Sequence, residues 1–416
     1  MNINFALNPN AVKILQILES QGFQAYIVGG AVRDILMRQT PHDYDICTDA
    51  LPPQIKDIFG SLGFKTVLVG EKYGTVQILI PTSGRENGEF FEVTTFRTDN
   101  EYIDGRHPES VNFSKNIADD LKRRDFTVNA MSCSVDSGGI ITVIDIFGGQ
   151  SDIKNKVVRA VGDPCERFSE DALRMIRAVR FSAKLGFEIE ESTKSAICNL
   201  AGKISLVSKE RISIEAEKIL LSDNPEKFLD LSDLNLLKYF MPLLDEKIKQ
   251  NQSGKINRVK FLEKDFCVRF AALFDIYSAN ADELKKLRMK NSDIKNITKI
   301  VSAVSIIKIN SDFLKSKIFL KRILRDFGKY VSDSALNIAD ILYNINALGI
   351  MREIESNDEP YKLSDLKING DDIINMTNGE NNKNIGFILA QCLEYVIENP
   401  DKNARGELLE FAERLL

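Results

Sequence analysis

Asp43 and Asp45 stand two apart in the segment Thr40-Pro41-His42-Asp43-Tyr44-Asp45-Ile46-Cys47-Thr48. On an extended strand this spacing turns both carboxylates to one face, where they repel each other unless a cation lies between them. Mg²⁺ suits such a pair, because it takes oxygen ligands and usually keeps substrate phosphates in its shell. A solvated turn explains an isolated Asp-x-Asp equally well, so the preceding segment matters. Ile27-Val28-Gly29-Gly30-Ala31-Val32-Arg33-Asp34 leads an apolar strand through two glycines into a helix. Glycine at Gly30 allows close approach of the backbone to a ligand, and the N–H groups that open a helix attract phosphate. Arg33, one turn in, is placed to add a charge-assisted bond to a triphosphate oxygen. A third carboxylate is expected on a neighbouring strand. Glu92, in Phe90-Phe91-Glu92-Val93, is the candidate, with an ordinary exposed strand residue as the alternative.

A second constellation is Glu170-Asp171-Ala172-Leu173-Arg174-Met175-Ile176-Arg177-Ala178-Val179-Arg180. The spacing predicts one helix in which Asp171, Arg174 and Arg177 share a face that drifts round to Arg180. A carboxylate only accepts hydrogen bonds and a guanidinium only donates them. Asp171 can therefore accept from the exocyclic amine of cytosine or adenine while Arg174 donates to the adjacent ring nitrogen. Uracil and guanine place a carbonyl where Asp171 needs a donor, and a site of this kind rejects the wrong partner by about 10⁴–10⁵. An amphipathic helix with ordinary salt pairs would show the same spacing.

The elements that must carry these residues fall into two regimes. A chain of 416 residues predicts two to four domains. Asn8-Pro9 reads as an N-cap with proline at the first helical position, opening a helix to about Ser20. Strand-like runs follow at Ala25–Val28, Lys65–Val69, Thr75–Ile80, Phe90–Thr95 and Ile140–Ile144, rich in β-branched and aromatic residues. After about residue 165 strand signals fade, and Ser169–Leu185, Lys209–Leu221 and Glu283–Lys290 show helical periodicity. The expectation is an α/β head with a mixed sheet, followed by an all-helical remainder.

Taken in order, GGAVRDILMRQTPHDYDICT, YIDGRHPESV (102–111), DDLKRRDFTVNAMS (119–132) and DPCERFSEDALRMIRAVRFSAKLGFEIE (163–190) resemble the polymerase-β-like nucleotidyltransferases. More narrowly, they resemble the bacterial class II tRNA nucleotidyltransferase and poly(A) polymerase family. The resemblance ends near KERISIEAEKIL (209–220). It implies a catalytic head (1–148), a base-reading helical neck (149–220), a helical body (221–300) and a tRNA-binding tail (301–416). It also implies addition of C and A from CTP and ATP to the tRNA 3′ end with two Mg²⁺ ions. Arg124 of Arg123-Arg124-Asp125, which is placed where a helix could start, would contact the incoming nucleotide. Asp171 and Arg174 would read the base, with Arg177 and Arg180 supporting them and the phosphates. The segment from Arg97 to Val111, with Asp104-Gly105-Arg106, corresponds to a loop that helps switch from C to A. Two departures stand out: Tyr73-Gly74-Thr75 replaces a common His-Gly-Thr, and Phe274 occupies the place where some relatives carry a hydrolase histidine. The rival readings are a poly(A) polymerase, an enzyme adding only CC or only A, and a non-catalytic RNA-binding protein on the same fold.

Composition narrows the chemistry further. With 55 Lys and Arg against 60 Asp and Glu, the chain is no general polyanion binder, so RNA contacts must come from a local patch. Residues 285–329 hold thirteen Lys or Arg against three Asp, a surface suited to phosphate contacts. Only two histidines occur, His42 and His107, which excludes multi-histidine metal sites and the hydrolase. The six scattered cysteines form no Cys-x-x-Cys pair, so reduced thiols are expected. Neither a signal peptide nor an apolar run of about 18 residues is present, and a cytoplasmic location is expected.

Overall fold

The computed structural model describes residues 2–3, 5–69, 73–82, 85–99, 111–136, 138–251, 253–346, 348–376 and 384–416. The expected loop containing Asp104, Gly105 and Arg106 lies outside them. Two compact units are formed, one of residues 1–219 and 227–240, the other of residues 220–226 and 241–416.

In the first unit the strands are β1 (Asn2–Ile3), β2 (Ala25–Val28), β3 (Asp45–Thr48), β4 (Lys65–Leu68), β5 (Thr75–Thr82) and β6 (Arg85–Thr95). They continue with β7 (Arg97–Asp99), β8 (Val111–Phe113), β9 (Met131–Val135), β10 (Ile141–Asp145), β11 (Val157–Val158) and β12 (Glu188–Ile189). Eight of them make one mixed sheet in the order β1-β10-β9-β2-β3-β6-β5-β4. Its parallel pair is β3 with β6, aligned as Asp45↔Glu92, Ile46↔Val93 and Cys47↔Thr94. On the other side β2 runs antiparallel to β3, with Val28 opposite Asp45. Alternation along β3 and β6 sends Ile46 and Val93 into the core with Ile27, Val76 and Ile78, which leaves Asp45 and Glu92 to share the opposite, exposed face. Burying each such aliphatic side chain stabilises the fold by about 1.5–3 kcal/mol. That packing fixes the register, because a one-residue slip would put the acids in the core.

The helices of this unit are α1 (Pro9–Ser20), α2 (Gly30–Leu36), α3 (Pro52–Ser61), α4 (Ile117–Lys122), α5 (Gly149–Asn155), α6 (Pro164–Glu170), α7 (Leu173–Leu185), α8 (Glu191–Leu200) and α9 (Lys209–Leu220). Asn8 caps α1 as expected, its side chain accepting from the Asn10 amide. Three expectations are corrected. Arg123 and Arg124 follow the end of α4 rather than opening a helix, because Asn116 caps α4 seven residues earlier. The helix expected from Glu170 is broken: α6 stops at Glu170, Asp171 is extended (φ −142°, ψ 104°), and α7 starts at Leu173. Strand structure also persists past residue 165, since β12 pairs in parallel with β11.

The second unit is helical, with helices such as Phe266–Tyr277, Asn291–Ile309, Lys317–Phe327 and Lys329–Tyr343. The expected helix at Glu283–Lys290 is instead a run of tight turns, Ala281–Leu287, ended by Arg288 in the left-handed region (φ 51°). Phe274 is fully buried, with its ring 5.8 Å from Phe270. Asp275 beside it is taken up by Lys308 Nζ (3.0 Å) and by Tyr343, which makes this pair part of a packed core. Among the described residues no helix is long and apolar enough to cross a membrane.

Candidate active site

Asp43 lies just before β3, and Asp45 is that strand's first residue. Tyr44 between them is turned inward (8% exposed), with its hydroxyl accepting from the Asn8 amide at 3.3 Å, while both aspartates are exposed. Pairing of β3 with β6 sets Glu92 directly beside Asp45. Glu92 accepts from Gln77 Nε2 at 3.1 Å; neither aspartate has a hydrogen-bond donor among the described residues. The atoms packed around the Asp45 carboxylate push its pKa up, Arg124 pulls it down, and the charges of Glu92 and Asp43 push it up again. Uncompensated negative charge, carried by oxygen donors alone, fits a hard divalent cation. Among the described residues no three His, Cys, Asp or Glu side chains are gathered into a ready-made cage, so a cation here would take its remaining oxygens from phosphate or water.

The Gly29-Gly30 turn passes within reach of these acids. Gly29 has φ +74°, and a Cβ there would stand 2.9 Å from Arg124 Nη1 and 3.8 Å from Asp45 Oδ2. Glycine is thus required both by backbone angle and by space. Arg124 donates to Asp120 through Nε (3.3 Å) and Nη2 (3.0 Å). Burial opposes its charge, but Asp120 and its other neighbours raise its pKa. Arg33 is 2% exposed; it bonds Asp34 through Nε (2.9 Å) and Asn129 Oδ1 through Nη1 (2.5 Å). Its guanidinium therefore ties α2 to the segment before β9.

At the break between α6 and α7, Asp171 Oδ1 accepts from the Leu173 amide (3.0 Å) and Oδ2 from Arg211 Nη2 on α9 (2.8 Å). Arg174, 9% exposed, is held by Glu170, by the Arg167 carbonyl (3.1 Å) and by the Arg123 carbonyl (3.2 Å). Arg177 Nε donates to Asp125 (3.0 Å), whose pKa burial would raise but Arg177 holds below the usual carboxylate range. Arg180 Nε lies 3.2 Å from Glu215 Oε2, an ion pair set too obliquely for a hydrogen bond. Three guanidinium groups, Arg33, Arg177 and Arg180, approach the Phe181 ring at 5.8, 5.5 and 4.2 Å from its centroid. Lys184, one turn further along α7, is exposed. Burial and then Arg33 lower its pKa, while Asp34 and Asp43 pull the other way.

The structure thus brings Asp43, Asp45, Glu92, Gly29, Gly30 and Arg124 together, and through Lys184 and Arg33 it joins them to the α7 cluster of cations. Asp171 and Arg174 lie at the break between α6 and α7, each bound to other side chains. Sequence reasoning missed Asp120, Arg211 and Lys184. Asp120 had a readable signal, lying three and four residues before Arg123 and Arg124. Arg211 had none, since its partner is 40 residues away. Tyr73, in place of the common histidine, offers its carbonyl to Arg97, whose guanidinium lies 5.7 Å from the Tyr73 ring centroid.

In the second unit the basic run is largely answered by acids distant in sequence. Lys317 meets Glu353 and Glu359, the buried Lys321 meets Glu359, and Arg322 and Arg325 meet Glu394. The phosphate-binding face expected over residues 285–329 therefore narrows. Lys286, Lys290, Lys295 and Lys315 are among its exposed residues, and Lys295 lines a depression of about 440 Å³ together with Thr298, Lys299 and Ser302.

Residues 25–159 match the family model of the poly A polymerase head domain. Residues 186–248 match that of the RNA and SrmB-binding site of polymerase A, and residues 265–412 that of tRNA nucleotidyltransferase domain 2. The chain is 36% identical over 415 residues to a CCA-adding enzyme of Lactococcus lactis, a match covering 98% of this chain and 97% of that one. To the CCA-adding enzyme of Ligilactobacillus salivarius it is 35% identical over 414 residues, covering 98% and 96%. Among solved structures, the Bacillus stearothermophilus CCA-adding enzyme in complex with CTP superposes with a TM-score of 0.82 at 29% identity, covering 98% of each chain. The Thermotoga maritima CCA-adding enzyme complexed with tRNA shares the fold, with a TM-score of 0.68 at 20% identity.

Proposed function

Since the chain belongs to the family of CCA-adding enzymes, we propose that Asp43 and Asp45 hold two Mg²⁺ ions for template-independent addition of C and A to tRNA. The protein is a tRNA nucleotidyltransferase whose partners are CTP, ATP and the tRNA 3′ end. The observation that carries the site assignment is the parallel register that sets Glu92 beside Asp45, with the exposed Asp43 two residues before it and close enough for its charge to act on Asp45. When bound, the metal ions supply charge stabilisation to the attacking and leaving oxygens. This chain's own residues do the rest. Gly29 and Gly30 keep the turn beside Asp45 free of side-chain bulk, and Arg124 meets the incoming nucleotide. Arg177, Arg180 and Lys184 offer positive charge to the triphosphate, while Asp171 and Arg174 present an acceptor and donors to the base edge. Arg33 acts from behind, holding α2.

Each part of the chain has its task in this reading. Residues 1–148 are the catalytic head and 149–220 the base-reading neck, while 221–300 and 301–416 form a body and tail that hold the tRNA. The reaction takes place in the cytoplasm, a compartment in which six free cysteines persist as thiols.

The test uses tRNA transcripts ending before the first C, after the second C, and after the terminal A, with each nucleotide supplied separately. Restoration of CCA that stops there supports the reading. Long A tails on unrelated RNA would identify a poly(A) polymerase instead, a stop after CC or a requirement for CC a partial enzyme, and no incorporation a binding protein.

A further inference from the structure

Asp120 is fully buried (0% exposed) in α4. Removing a carboxylate from water costs several kcal/mol unless charges and hydrogen bonds answer it, and here two consecutive arginines do. Arg123 donates to Oδ1 through Nε (3.1 Å) and Nη2 (2.5 Å). Arg124 donates to Oδ2 through Nε (3.3 Å) and Nη2 (3.0 Å). The Cys47 thiol, two residues past Asp45 on β3, closes the cluster at 3.7 Å from Oδ2.

An Asp followed by Arg at i+3 and i+4 on an exposed helix is worth only a few tenths of a kcal/mol. Where these two arginines lead sets this cluster apart. Arg124 carries its Nη1 to the Gly29 turn, and it is the positive charge that acts on Asp45. Arg123 offers its main-chain carbonyl to Arg174 Nη2 at 3.2 Å. One buried carboxylate thus anchors both the guanidinium beside the metal-binding acids and the main chain that holds the base-reading arginine.

We infer that Asp120 is a positioning residue for nucleotidyl transfer, fixing Arg124 against the incoming nucleotide and, through Arg123, steadying Arg174 against the base. The inference rests on the function proposed above. Exchange Asp120→Asn keeps the shape but turns an amide N–H₂, a donor, toward one of two donating guanidinium groups. The displaced arginine loses its aim, and a misplacement of about 1 Å lowers activity by about 10²-fold.

The experiment is a double-mutant cycle of D120N, R124M and D120N/R124M, reading CTP incorporation into a tRNA that lacks CCA, with a thermal melt of each variant. Expected for D120N is a fall in kcat/KM for CTP on the order of 10²-fold, seen with CTP and not in the KM for tRNA. The double variant should fall well short of the product of the two single losses, exceeding the R124M loss only by the share that Asp120 exerts through Arg123 and Arg174. Losses that multiply, or equal rises in KM for both substrates, would mean that Asp120 only supports the fold and would overturn the inference. If D120N does not fold, D120E retains the charge with a displaced carboxylate and takes its place in the same cycle. A wild-type enzyme that fails to incorporate CTP would instead overturn the function itself.

Discussion

Exchange of Asp171 for alanine probes how a protein chooses C and A without a template. In the structure the Asp171 carboxylate is pinned at both oxygens, one by the Leu173 amide at 3.0 Å and the other by Arg211 at 2.8 Å. Each oxygen has a second lone pair free to accept from an exocyclic amine. A hydrogen bond to a charged group contributes about 1.5–3 kcal/mol. At about 1.36 kcal/mol per decade in rate, its loss lowers kcat/KM for CTP and for ATP by about 10- to 160-fold. UTP behaves oppositely, because alanine removes the acceptor that faces its carbonyl. Its kcat/KM should hold or rise, so the preference for CTP over UTP shrinks by at least that same factor. The assay is single-nucleotide incorporation into a tRNA ending before the first C, with the four nucleotides compared separately. Loss of the contact that opens α7 also lowers stability by about 1 kcal/mol, which a thermal melt separates from the kinetic effect. If the ratio of CTP to UTP incorporation keeps its wild-type value while CTP incorporation falls, Asp171 does not read the base.

Replacement of Gly29 by alanine should destabilise the protein by about 1–2 kcal/mol from the positive φ alone, and activity should fall further because the new methyl meets Arg124 Nη1 at 2.9 Å; denaturant melts and CTP incorporation measure the two effects. Asp45→Asn should abolish incorporation yet stabilise the metal-free protein near pH 7. The folded pKa of Asp45 lies above its ordinary 3.8, so folding favours the protonated form and ionisation weakens the fold. The gain is present above the folded pKa and vanishes as pH falls through it toward 3.8. Screening at this exposed carboxylate keeps it below about 1 kcal/mol, and paired melts at pH 7.5 and pH 4 (working values of about that size) read it. Lysines 286, 290 and 295, changed together to alanine, should weaken tRNA binding and flatten its dependence on salt by about one unit of slope per lost phosphate contact. A filter-binding titration over a range of KCl checks this, with unchanged slope as the opposing result.

How far the sequence alone reaches differs from element to element. The strands Ala25–Val28 and Thr75–Thr82 are readable because apolar β-branched residues recur between turn residues. The Asp-x-Asp pair is equally plain, since alternation decides its face. Met131–Val135 escapes such a reading: it is a central strand whose Met-Ser-Cys-Ser-Val alternates, but only Val135 is β-branched and none is aromatic, so the strand signal is weak. The break at Asp171 escaped notice because residues spaced by three look helical whether or not the helix is continuous. There the backbone turns extended while the side chain accepts from the Leu173 amide, the first residue of the next helix. Charge counting misjudged residues 285–329 for a related reason. Lys317, Lys321, Arg322 and Arg325 find their acids from Glu353 to Glu398, partners that only tertiary packing supplies. The same holds for Arg211 and Asp171.

Nucleotide incorporation by Asp43→Ala and Asp45→Ala, measured side by side with wild type in Mg²⁺ on a tRNA lacking its terminal CCA, tests the proposed metal-binding role of these acids most directly. The account predicts that wild type restores CCA and stops, while each variant still binds the tRNA but releases no pyrophosphate. Full incorporation by either variant would contradict it.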